Sequence, residues 1–83
     1  MNCLIAFRSL TQAQTAAAAF QRGGIGAELT RPPVSLSQGS CAYGLNIREE
    51  YLPVAVQILQ KYRLAVTGVW RQMPDGRYRE VVW

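Results

Sequence analysis

The chain is 83 residues long, 49% hydrophobic, and carries nine Lys and Arg against five Asp and Glu, a net charge of +4. That length makes one small domain over residues 1–83, and that apolar share is too high for disorder. With no histidine, and with neither CxxC nor zinc spacing at its two cysteines, Cys3 and Cys41, the chain is expected to hold no metal and no bound cofactor.

Residues 2–8 read as a buried strand, short, apolar and ended by Arg8-Ser9. Ser9 is an N-cap signal, with Gln12 at the position that completes a capping box. The helix that follows carries Leu10, Ala13, Ala16, Ala17 and Phe20 on one stripe and stops at Gly23-Gly24, one of which should take the left-handed cap conformation. A short second strand spans 27–30 and is halted by Arg31-Pro32-Pro33, since proline cannot donate to a ladder. After a loop through Ser40, a third strand runs over 42–47, with Tyr43, Leu45 and Ile47 alternating against Ala42, Gly44 and Asn46.

Glu49 and Glu50 place negative charge at the start of a second helix, and Pro53 fits its first turn. Leu52, Ala55, Val56, Leu59 and Tyr62 form its apolar stripe, with Lys61 and Arg63 in the last turn. A fourth strand over 66–71, a turn at Met73-Pro74-Asp75-Gly76-Arg77 and a fifth strand over 78–83 complete the chain. The order β-α-β-β-α-β plus one hairpin strand predicts an α+β fold of the ferredoxin-like, split βαβ kind. Strands one and three would then be antiparallel neighbours, with both helices on one face.

In that topology the start of strand three lies beside the end of strand one. Cys41 would meet Arg8 and the N-terminus of the first helix, with Arg31 at the same edge. The backbone N–H groups of Leu10, Thr11, Gly39 and Ser40 are candidate donors to a thiolate there. Arginines and a helix N-terminus lower a thiol's pKa, and the thiolate is the nucleophile. The plain alternative is that Cys41 is a small, half-buried hydrophobe at a strand start. Cys3, inside an apolar strand at the other end of the sheet, reads as structural and beyond disulfide reach of Cys41.

Other signals have bland explanations. Gly23-Gly24-Ile25-Gly26 follows a helix and not a strand, which makes a poor phosphate loop. Tyr43 packs on the sheet or stacks over the Cys41 corner. Trp70, Tyr78 and Trp83 interleave with Arg71, Arg77 and Arg79, but arginine blunting an edge hairpin explains that pattern as well as a nucleic-acid platform does. The arginines are otherwise scattered, and nucleic acid is not the expected partner. No apolar run approaches the ~20 residues of a membrane helix, and the apolar start before Arg8 is too short for a signal peptide. A cytoplasmic location, where thiols stay reduced, is expected.

The chain resembles the small selenium/sulfur carrier-like proteins of bacteria, a family known as a domain of unknown function. The resemblance covers about residues 3–70. It rests on Phe7-Arg8-Ser9 before a helix, the Gly24-Ile25 turn and the Arg31-Pro32 stop. Ser40-Cys41 ahead of Gly44-Leu45-Asn46-Ile47, and the closing Leu59, Tyr62 and Val69, complete it. The family's cysteine is followed directly by glycine, whereas Ala42-Tyr43 intervene here. The resemblance implies that Cys41 carries a persulfide or perselenide. Its partners would be a donor enzyme and an acceptor protein, with Arg8 and Arg31 holding the anion and Ser40 and Gly39 assisting. With no general base in view, the chain reads as a carrier or binding protein and not as a standalone enzyme. The competing expectation is a regulatory or interaction module without thiol chemistry. It would dimerise through its sheet, because strand one is apolar on both faces and Trp70, Val81 and Trp83 lie on the last hairpin.

Overall fold

A computed structural model of the chain describes residues 2–32, 43–64 and 66–81. It is an α+β structure in which two helices cover one face of a five-stranded antiparallel sheet. In chain order the elements are β1 (Asn2–Phe7), α1 (Leu10–Arg22), β2 (Glu28–Thr30) and β3 (Tyr43–Arg48). A 3-10 turn (Glu49–Tyr51), α2 (Leu52–Lys61), β4 (Val66–Gln72) and β5 (Tyr78–Glu80) follow. The sheet order is β2-β3-β1-β4-β5, so β1 and β3 are antiparallel neighbours, as the sequence predicts.

Alternation along the strands sorts side chains between the two faces. Cys3, Ile5 and Phe7 of β1, Leu45 and Ile47 of β3 and Val69 of β4 form one core with Ala13, Ala16 and Phe20 of α1 and Leu52, Ala55 and Leu59 of α2. The alanines leave room for the sheet, and Phe7 and Phe20, both at 0% exposure, fill it. Burial of an aromatic of this size is worth about 3 kcal/mol. Leu10 and Tyr62, assigned to the apolar stripes from the sequence, are instead 37% and 45% exposed. Leu10 is the first residue of its helix and Tyr62 follows the last of its own, so neither is roofed by the sheet.

The helix ends follow the sequence signals with three departures. Ser9 Oγ accepts a hydrogen bond from the Gln12 N–H at 3.2 Å, but Gln12 Oε1 has no donor among the described residues, so only half of the capping box forms. Gly24, at φ +82°, closes α1: the Ile25 N–H donates to Phe20 O and the Gly24 N–H to Gln21 O, a Schellman motif. α2 ends in the same pattern, Leu64 N–H to Leu59 O and Arg63 N–H to Gln60 O, with Arg63 at φ +53° in the left-handed position. Arg63 therefore lies beyond the last turn to which its charge assigns it. The α-helix also begins later than Glu49-Glu50 suggests, because those residues form the 3-10 turn ahead of it.

The second face of β1 is covered too. Leu4 and Ala6 are each 1% exposed, and Gly44 and Pro32 beside them are also buried. The indole of Trp70, opposite Leu4, lies across Gly68, opposite Ala6. The expectation that the second apolar face of β1 awaits a partner is therefore corrected: the chain covers it itself. At the hairpin, the Gly76 N–H donates to Met73 O and the Met73 N–H to Arg77 O, with Gly76 at φ +86°, a tight turn at the predicted place. Val81 continues past β5, its N–H donating to Val69 O. Trp83 lies outside the described residues.

Candidate functional site

The sheet register brings the sequence-predicted arginines to one end. Phe7 is opposite Tyr43, and Gly44 is opposite Thr30. Arg8 leaves β1 directly after Phe7, and Arg31 leaves β2 directly after Thr30. Because β3 lies between β1 and β2, Arg8 and Arg31 flank the entrance of β3 from either side, two strand spacings or about 10 Å apart at the backbone. Both are exposed, and among the described residues neither has a carboxylate partner. The Arg31 guanidinium stands over the Tyr43 ring, 5.6 Å from its centre, so Tyr43 both packs against the core and seats a cation.

The N-terminus of α1 opens at this same end. Ser9 satisfies the N–H of Gln12 through its side chain and that of Ala13 through its carbonyl. The N–H groups of Leu10 and Thr11 have no acceptor among the described residues, as the first donors of a helix must unless something caps them. The end is thus positive by two guanidinium groups and a helix terminus. Cys41, Ser40 and Gly39 lie outside the described residues.

Cys3 lies at the other end of β1. It is fully buried, opposite Ile47 on one side and Arg71 on the other. Burial pushes its thiol above the ordinary value of 9.0, and the Glu49 carboxylate pushes it further; attraction to the Arg71 guanidinium only partly offsets this. Arg71 Nε is 2.7 Å from Glu49 Oε1, but its N–H is not aimed at that oxygen. The contact is an ion pair without a directed hydrogen bond, half-exposed and worth about 1 kcal/mol at most. Glu49, expected to serve the helix dipole alone, is engaged in this pair. Sequence spacing could not reveal it, because only the β1–β4 register sets Arg71 beside Cys3.

The last hairpin does not join its aromatic and basic residues into one surface. Trp70, Gln72, Tyr78 and Glu80 share one face by register and alternation, while Arg71 and Arg79 stand opposite each other on the other. Arg77 sits 3.8 Å from Asp75 in the turn. Among the described residues no three His, Cys, Asp or Glu side chains cluster as a metal site would need, and no helix is long and apolar enough to cross a membrane.

No curated protein and no solved structure matches the chain. A family model does, over residues 2–71, a span that runs from the first residue of β1 to the last but one of β4. By that match the chain belongs to the family described as putative Se/S carrier protein-like.

Proposed function

We propose that this chain is a sulfur or selenium carrier whose working group is the thiol of Cys41. Family membership over residues 2–71 supports the role, and one geometric observation supports the residue. Two exposed arginines flank the entrance of β3, and Cys41 stands two positions before Tyr43 in the sequence. A thiolate is favoured where cations and free backbone N–H groups converge, and it is the thiolate that attacks. Cys3, sealed in the core with its pKa pushed up, is a poor candidate for the same task.

The step is an exchange. The Cys41 thiolate attacks the outer sulfur of a donor's persulfide; a sulfur–sulfur bond forms on Cys41 as the donor's own breaks, and the donor leaves as a thiolate. The electron count is unchanged and no cofactor is needed. Arg8 and Arg31 would hold the terminal anion until an acceptor takes it, with Ser40 and Gly39 contributing backbone donors. The partners would be a desulfurase-type donor and an acceptor enzyme. The setting would be the cytoplasm, and the architecture a single ferredoxin-like domain over residues 1–83 with a fifth strand appended.

Intact mass after incubation with a cysteine desulfurase and cysteine tests the proposal. The wild type and Cys3→Ser are expected to gain the mass of sulfur, reversibly on reduction, and Cys41→Ser to gain none. Equal gain in Cys41→Ser, or no gain in the wild type, ends it.

A further inference from the structure

α2 carries two apolar stripes. One, Leu52, Ala55 and Leu59, is buried in the core. The other runs Tyr51, Val54, Ile58, Tyr62, again at helical spacing, along the flank of α2. Tyr51, Val54 and Tyr62 are 36%, 46% and 45% exposed, and these three are among only five large hydrophobic side chains exposed in the described residues. Ile58, half-buried, forms the floor: a Cβ on Gly23, at the end of α1, would stand 3.2 Å from its Cδ1. The stripe therefore continues onto the neighbouring helix end.

Charge around the stripe is uneven. At the Tyr51 end, Glu49 and Glu50 are already paired with Arg71 and Arg48. At the Tyr62 end, the Arg22 guanidinium and the Lys61 ammonium stand over the same ring, 5.9 and 5.8 Å from its centre, and exposed Arg63 follows directly. None of these three cations has a carboxylate partner among the described residues. The C-termini of α1 and α2 together supply about one negative charge, which leaves a surplus of about two positive charges beside an exposed apolar stripe.

We infer that this flank is a docking surface for an acidic, amphipathic segment of a partner protein. Apolar side chains of the segment would lie along Val54 and Ile58, and its carboxylates would reach Arg22 and Lys61, which the Tyr62 ring holds in place. Apolar area supplies affinity, and the unbalanced cations select the sign of the partner and speed its approach. The inference does not depend on Cys41 chemistry.

The probe is a synthetic helical peptide with leucines at i, i+3, i+4 and i+7 spacing flanked by glutamates, titrated into the isotope-labelled protein. Amide shifts are expected at Tyr51, Val54, Ile58, Lys61 and Tyr62. Binding should weaken about tenfold in the Arg22→Glu/Lys61→Glu double variant, and likewise as salt rises from about 0.05 M to about 0.5 M. Lys61→Ala alone, a milder change at an exposed position, should weaken binding to a lesser degree, which guards against misfolding of the double variant. Cys41→Ser should bind as the wild type does, so loss of sulfur loading and loss of docking are read separately. No shifts, equal binding of a peptide with lysine in place of glutamate, shifts confined to the β4–β5 hairpin, or stronger binding to vesicles of anionic lipid would each overturn the inference.

Discussion

Arg63 holds a backbone conformation that suits glycine. Its φ of +53° places it at the left-handed position of the motif that ends α2, where Gly24 does the same for α1. A side chain with a Cβ loses roughly 1–2 kcal/mol there, and glycine recovers this less the larger entropy it loses on folding. Arg63→Gly should therefore stabilise the protein by about 0.5–1 kcal/mol, read as a higher urea midpoint at unchanged slope. Cys3 makes a second prediction at this scale. Its folded pKa lies above 9.0, so above that pH the unfolded chain has released the thiol proton while the native chain retains it. The unfolded state then binds fewer protons, and stability falls as pH rises from about 9 toward the folded pKa, by up to about 1.4 kcal/mol per pH unit. Below about pH 8, where the unfolded thiol also keeps its proton, Cys3 contributes almost no slope. Urea midpoints of wild type and Cys3→Ala, compared from pH 7 to pH 10, should run parallel up to about pH 8, with only the wild type losing the extra stability above it.

At the scale of elements, close approach decides which substitutions the sheet accepts. Gly44, in β3, has Ala6 and Thr30 as its register partners. A Cβ there would stand 2.8 Å from Leu4 Cδ1 and 3.3 Å from Pro32 Cγ. Leu4 is 1% exposed and proline is rigid, so neither neighbour yields freely. Gly44→Ala should cost about 1–3 kcal/mol by overpacking, and thermal or urea unfolding would show it. This contact also marks where the sequence stops being legible. The strands, both helices, the Ser9 cap and the turn before Arg77 were readable because each is set by neighbours within a few positions. That Leu4 and Ala6 would be covered from within the chain was not, because Gly44, Pro32, Gly68 and Trp70 reach them only through strand pairing. The same limit applies to the site. Arg8 and Arg31 could be placed at one sheet end from strand order alone. The Arg71–Glu49 pair and the cations around Tyr62 depend on side-chain geometry, and periodicity put Tyr62 in the core stripe.

For the molecule as a whole, β1 is the axis. It is the central strand, pairs on both edges, and every residue from Cys3 to Phe7 is at most 1% exposed. The outer strands β2 and β5 have three residues each, with mostly exposed or half-exposed side chains. A chain of 83 residues has a total stability of about 4–12 kcal/mol, and only elements buried on all sides can require all of it to open. Native-state hydrogen exchange should therefore report the global unfolding free energy at the amides of Leu4, Ile5 and Ala6. At Arg79 the opening free energy should be lower by at least about 3 kcal/mol, an exchange rate, corrected for intrinsic chemistry, on the order of a hundredfold faster. Such a gradient has a functional consequence. The buried centre can stay closed and keep Cys3 out of reach, while the sheet end with Arg8 and Arg31 and the flank with Tyr62 remain open to partners. Protection at Arg79 equal to that at Ile5 would mean that the sheet opens only as one unit, with no sealed centre set apart from accessible margins.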